Sequence, residues 1–192
     1  MLGRRIVVGV TGASGILYAH LFLQKLVELK DQYERVDLIF SDSAHAVWKF
    51  ELPDEAMDQY PFKIHKASNF WAPMASGSAG FDTMVIIPCT MGTLGRIASG
   101  QASDLITRAA DVMLKERGRL ILVTRESPLS LIHIRNMETI TMAGGVICDA
   151  NPSFYSKPET IEELAGTVVE RVIKLTALES KGFEWGIGAG ED

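Results

Sequence analysis

"RRIVVGVTGASGILYAHLFLQKLVELK", Arg4 to Lys30, is the stretch on which the fold turns. Its first part, "RIVVGV" (5–10), is an unbroken apolar, β-branched run, the composition of a strand covered on both faces. "LYAHLFLQKLVELK" (17–30) then spaces its apolar residues at helical intervals and closes in charge. Between the two, Gly9, Gly12 and Gly15 recur at every third position, with Thr11 and Ser14 among them.

Working outward, the same alternation repeats. "RVDLIFS" (35–41) and "TMVIIPC" (83–89) are further buried-strand runs. "SDLITRAADVMLKER" (103–117) is amphipathic, with Ser103 placed to cap it, and "RLILVT" (119–124) is another strand. "SPLSLIHIRNMETITM" (127–142) offers Ser127 as a cap and Pro128 at the first helical position. "GGVICDA" (144–150) reads as a last short strand and "PETIEELAGTVVERVIKLTAL" (158–178) as a long helix. Strand and helix alternating along the chain predict a three-layer α/β sandwich with a mostly parallel sheet and right-handed crossovers. Ligands in such sheets sit at the carboxyl ends of the strands, which directs attention to 11–15, 41–45, 88–93, 125–127 and 150–155.

The totals set outer bounds. The chain has 192 residues, 47% hydrophobic and 22% charged, with a formal net charge of −5 and a mean hydropathy of +0.13. One domain over 1–192 is expected, with about 179–192 as a tail or subunit-contact arm. An acidic chain without a basic tail argues against nucleic acid or an anionic membrane as partner. No apolar stretch approaches the roughly 20 residues of a bilayer span, and the glycine loop interrupts the first apolar run too early for a signal peptide. Cys89 and Cys148 do not sit in a CxxC, which argues against structural zinc or a disulfide framework and points to the reducing cytoplasm.

A glycine loop leading from a strand into a helix aims backbone N–H groups and a helix dipole at an anion. The spacing is neither GxGxxG nor a Walker loop, and a tight turn that simply needs small residues is the competing reading. At the tip of the second strand stands "FSDSAH", where Ser41 precedes Asp42. A hydroxyl there suits the open ribityl chain of a flavin nucleotide at least as well as the ribose diol of NAD. "PCTMGTLGRIASG" (88–100) forms a second anion-ready turn with Thr90, Gly92 and Thr93.

Within "NFWAPMASGSAGFD" (69–82), an irregular segment of the kind that serves as a lid or binding loop, Trp71 is either core or an aromatic wall for a flat or cationic group. Arg108 and Lys115 lie seven apart, on one helix face. They either form the i,i+4 pairs Asp104–Arg108 and Asp111–Lys115 on a solvated face or bind substrate. From Arg96 to Arg135 seven basic residues face four acids, a positive stretch in an acidic chain that suits a small anionic substrate. Arg125 and Glu126 follow a strand directly, Glu126 as an ion-pair partner or as a carboxyl poised for proton transfer. Tyr155 follows the last strand and Arg171 lies on the final helix. His45, His65 and His133 lack metal-ligand spacing and read as structural or surface groups.

Together, "TGASG", "SDSAH…FE", "WAPMASGS", "PCTMGTLGRIASG", "SDLITRAADVMLKERGRLILVTRESPLSLIHIRNM" and "NPSFYSKP" resemble the UbiX-type flavin prenyltransferases over nearly the whole chain and in order. "RES" and "IHIR" are mild variants of the family pattern, and none of its site residues is missing. The resemblance implies a Rossmann-like flavoprotein, assembled as a dodecamer with active sites at subunit contacts. It would join the dimethylallyl group of dimethylallyl monophosphate to N5 and C6 of reduced FMN, without metal, for a UbiD-type decarboxylase. By motif, Gly12, Ala13, Ser14, Ser41, Thr90, Met91, Gly92, Thr93 and Arg125 are expected to bind FMN. Tyr155 and Arg171 are expected to bind the prenyl phosphate with Arg108 and Lys115, and Trp71 and Trp185 to line the prenyl pocket. Glu126, Glu51, Ser14, Lys115 and Arg108 form the expected catalytic set. The rivals are a cysteine decarboxylase of the same superfamily, whose "PASANT" loop is replaced here by "MASGS", and a non-catalytic flavin carrier.

Overall fold

A computed structural model describes residues 3–180. Its elements are β1 (Arg4–Val10), α1 (Ile16–Glu28), β2 (Tyr33–Phe40), α2 (Asp42–Glu51), β3 (Lys63–Lys66), β4 (Thr83–Cys89), α3 (Met91–Ala98), α4 (Leu105–Lys115), β5 (Arg119–Thr124), α5 (Leu131–Met142), β6 (Val146–Ile147) and α6 (Ile161–Leu175). The strands form one six-stranded sheet in the order β3-β2-β1-β4-β5-β6, every neighbouring pair parallel. Apolar side chains alternate between its faces. Ile6, Val8, Val10, Leu38 and Phe40 point into a core closed by α1, α2 and α6. Val7, Ile39, Met84 and Ile86 point into a second core, under α3 and α4 with Ile140 of α5. Burial on both faces is why the central strands read as continuous apolar runs rather than alternating ones.

Several expectations need correcting. β3 ("KIHK") was not expected: it is four residues long, its lysines suit an exposed sheet edge, and only His65 is buried. α2 was not expected either, although its buried Ala44 and Trp48 are spaced helically. The last strand is two residues rather than seven. α4 is capped by Asp104, not Ser103: Asp104 Oδ1 accepts from Thr107 N–H at 2.8 Å, and Thr107 Oγ1 accepts from Asp104 N–H at 3.1 Å. A carboxylate also complements the helix dipole better than a hydroxyl. α5 opens at Ser130, not Ser127, because Ser130 and His133 form a reciprocal box, at 3.3 and 3.2 Å, that satisfies two donors at once.

The expected i,i+4 ion pairs do not form. Asp104 instead binds Arg96 at 2.7 Å, Arg108 binds Asp111 one turn on at 2.8 Å, and Lys115 meets Glu116. Tertiary proximity gives Asp104 a better partner than its own helix does. The 69–82 segment is anchored by two short 3₁₀ turns, Pro73–Ala75 and Gly77–Ala79, and by buried Ala72, Met74 and Phe81. Trp71 is 98% exposed, which removes the core reading. His65 lies buried beside Asp37, 3.6 Å away, with Arg35 2.8 Å from the same carboxylate.

Candidate active site

Thr11, buried at the end of β1, ties two strand exits together. Its hydroxyl donates to Pro88 C=O at 2.7 Å and accepts from Thr90 N–H at 2.9 Å. Ser41 N–H bonds Val10 C=O at 3.0 Å, which holds the β2 exit against the β1 exit. Gly12 lies so close to α2 that an added Cβ would fall 2.5 Å from Ser43, so the residue must be glycine. Ser41 caps α2 through Ala44 N–H, and its hydroxyl lies 3.1 Å from that of Ser43. Arg125 leans back over the same turn, its Cδ 3.5 Å from where a Cβ on Gly15 would stand. Burial pushes the Tyr18 phenol up, and the charge of Arg125 partly opposes this. The glycine turn, Ser41, the turn 90–93 and Arg125 therefore share the carboxyl edge of β2, β1, β4 and β5.

The open anion site expected at the start of α1 is already filled. Gly15 takes the left-handed conformation (φ 99°). Its N–H lies 2.9 Å from Glu51 Oε2 and 3.2 Å from Oε1, and Ile16 N–H donates to Oε2 at 2.8 Å. Glu51, at the end of α2, is thus the carboxylate that satisfies the N-terminus of α1. What remains for a ligand is the next turn along. There Thr90 Oγ1 accepts from Thr93 N–H at 3.1 Å and donates to Thr93 Oγ1 at 3.0 Å. Met91 and Gly92 N–H are first-turn donors of α3 without an intrahelical acceptor. A Cβ at Gly92 would meet only Thr90 Oγ1, at 4.0 Å, so the approach to these donors is open. Backbone donors, hydroxyls and one guanidinium on an open edge fit the polar groups of FMN.

Beyond β5 the edge continues into a groove of about 1270 Å³ between α1, α6 and the 148–158 segment. Tyr155, Arg171, Cys148 and Asp149 line it. Asp149 is hydrogen-bonded to the Thr124 hydroxyl and so ties the β6 exit to the β5 exit. Burial raises the pKa of the Cys148 thiol, with Arg171 opposing. Glu126, two residues past β5, is exposed, its carboxylate accepting from Ser127 N–H at 3.2 Å.

Not every expected residue reaches the edge within one chain. Arg108 turns to Ala75 C=O at 3.1 Å. Lys115 closes α4, which returns the chain to the start of β5, so it stands at the opposite, amino edge of the sheet. Trp71 stands in solvent, and Trp185 lies outside the described residues. The sequence gives no role to Thr11 and Ser43, although both lie in the stretches 11–15 and 41–45, nor to Arg96, which counts only toward the positive stretch, and it passes over Asp149. Thr11 and Ser43 carried a signal, since each is a hydroxyl within three residues of a strand end, where ligand-facing turns form. Among the described residues no group of three or more His, Cys, Asp or Glu side chains is placed to hold a metal ion, and no helix is long and apolar enough to cross a membrane.

The flavoprotein family model matches residues 1–173. The flavin prenyltransferase UbiX of Methanothermobacter thermautotrophicus is 40% identical, with 94% of each chain covered. A crystal structure of AnUbiX (PadA1) in complex with FMN and dimethylallyl pyrophosphate superposes with a TM-score of 0.81 at 42% identity, covering 95% of this chain and 100% of that one. The dodecameric FMN-dependent UbiX-like decarboxylase from Escherichia coli O157:H7 superposes with a TM-score of 0.88 at 37% identity, covering 94% and 98%. With this fold and this similarity along nearly its whole length, the chain belongs to the UbiX flavin prenyltransferases of the flavoprotein family.

Proposed function

We propose that the chain transfers the dimethylallyl group of dimethylallyl monophosphate to N5 and C6 of reduced FMN, releasing phosphate. The observation that carries this reading is the run along one sheet edge from flavin-type turns, through Arg125 and Glu126, to a groove lined by Tyr155 and Arg171. FMN supplies the nucleophilic N5 and C6; the chain's side chains hold the two partners and manage charge and protons.

Gly12, Ala13, Ser14, Ser41, Arg125 and the turn Thr90, Met91, Gly92 and Thr93 hold the flavin. Arg171 and Tyr155 take the phosphate. As the allylic C–O bond breaks, its electron pair leaves with the phosphate, and preorganised cationic and hydroxyl donors stabilise that charge. An aromatic face stabilises the allyl cation without capturing it, the role assigned to Trp71 and Trp185. Glu126 delivers a proton to the departing phosphate, and the phosphate or Glu126 accepts the proton lost from C6 when the second bond forms. Glu51 holds the turn beside the flavin. Alignment of the partners supplies up to ~7–11 kcal/mol of the barrier reduction.

The dodecamer implied by the family is supported by exposed apolar side chains, among them Trp71, Phe50 (86% exposed) and Met142 (84%), a surface that a second copy would cover. In that assembly Lys115 and Arg108 serve the site of a neighbouring subunit, which accounts for Lys115 standing at the far sheet edge of its own chain. The product serves a UbiD-type decarboxylase in the cytoplasm. The test is mass spectrometry of the flavin after incubation of the protein with reduced FMN and dimethylallyl monophosphate in chelator-treated buffer. The expected product is heavier by one C5 unit; unmodified FMN alone overturns the reading.

A further inference from the structure

The turn 90–93 depends on a residue that the roles above leave unused. Arg96, one turn into α3, donates from Nη2 to Thr93 Oγ1 at 3.2 Å and from Nε to Gly92 C=O at 3.4 Å. Its Nη1 is held by Asp104 Oδ2 at 2.7 Å and Ser103 Oγ at 3.2 Å. The other oxygen of Asp104 caps α4, so this carboxylate is fixed at both ends. A guanidinium only donates and is charged at every accessible pH.

The Arg96 contacts with Thr93 Oγ1 and Gly92 C=O clamp the first turn of α3 to the Arg96–Asp104 pair. Thr93 Oγ1 receives Arg96 Nη2–H and the Thr90 hydroxyl, which fills both of its lone pairs. The Thr90 proton is therefore turned inward. Thr90 Oγ1 accepts Thr93 N–H with one lone pair and keeps the other for a ligand. Beside it stand the N–H groups of Met91 and Gly92. The turn thus presents one acceptor next to backbone donors, complementary to a group that carries both an N–H or O–H and a carbonyl.

We propose that Arg96, anchored by Asp104, is a positioning residue for the flavin: by binding Thr93 Oγ1 and Gly92 C=O together it fixes the shape of the 90–93 turn and so the direction in which Thr90 Oγ1 and the Met91 and Gly92 N–H groups face a ligand. The inference rests on the flavin reading of this edge and deepens it.

The experiment compares Arg96→Met, Thr93→Val, the double variant and Arg96→Lys with the unaltered protein. It uses fluorescence titration with FMN, the visible spectrum of the bound flavin, and KM for dimethylallyl monophosphate. Losing a charge-assisted hydrogen bond that orders the turn is expected to raise the FMN Kd about tenfold in Arg96→Met and to alter the bound-flavin spectrum. KM for the prenyl phosphate should stay unchanged, since Arg96 does not touch the groove. Thr93→Val should show the same loss, and the double variant no more than either single one, because both break the same Arg96–Thr93 contact. Arg96→Lys, still a donor-only cation, should recover part of the affinity. Wild-type FMN affinity in Arg96→Met, or losses that add in the double variant, would overturn the proposal. If Arg96→Met does not fold, additivity is replaced by Arg96→Lys alone, for which an unaltered Kd and spectrum count against it. Absence of FMN binding by the unaltered protein would overturn the flavin reading itself and is seen separately.

Discussion

Glu51 offers the sharpest test of how the edge is built, because its carboxylate satisfies two backbone donors 35 and 36 residues away. Glu51→Ala leaves Gly15 N–H and Ile16 N–H without a protein acceptor at the start of α1. The residue is half-buried, so water replaces part of what is lost. Loss of a helix cap costs about 0.5–2 kcal/mol, and loss of a negative charge at a helix N-terminus costs a further 0.3–1 kcal/mol or so. The sum is about 1–3 kcal/mol. For a chain of this size each kcal/mol moves Tm by about 2–4 °C, which predicts a fall of about 2–12 °C. Glu51→Gln keeps an acceptor oxygen and loses the charge, so it should fall by about 1 kcal/mol, at the lower end of that range. The assay is thermal unfolding of flavin-free protein at fixed concentration, since bound ligand would add its own stabilisation. An alanine variant that melts within a degree of the unaltered protein would refute the reasoning, and Glu51 would then be free of any structural task.

Other consequences separate binding from chemistry. Arg171→Ala should raise KM for dimethylallyl monophosphate about 10–100-fold while leaving the FMN Kd unchanged; parallel loss of both would move Arg171 out of the prenyl-phosphate site. Glu126→Gln should slow turnover by about 10²–10⁴ with FMN affinity nearly intact, measured by product formation and flavin titration. Equal loss of both would make the residue structural. Burial holds His65 below the ordinary histidine value, against the opposing charge of Asp37 and with help from Lys63 and Arg35. Its folded pKa is thus lower than its unfolded one, so the unfolded chain takes up the proton first. Stability is therefore whole above about pH 6.5 and declines as pH falls below it. Melting curves across that range should be flatter for His65→Gln, and an unchanged slope would show that His65 titrates alike in both states.

What the sequence determined by itself is local and periodic. Apolar runs such as Ile6–Val10 and Met84–Ile87 mark strands buried on both faces, and helical spacing in α1, α4 and α6 marks their coverings, because period and composition follow from the backbone geometry of each element. The alternation also puts Ser41, Thr90 and Arg125 just past strand ends, at the carboxyl edge of the sheet. Only tertiary structure decided which groups meet across that edge. Glu51 reaches the Gly15 turn from the far end of α2, Asp104 prefers Arg96 to Arg108, and Lys115 is carried by α4 to the opposite rim. Such partners are chosen by distance in the packed chain, where a salt bridge or a cap forms with whichever group stands within reach, and no period in the sequence encodes that choice.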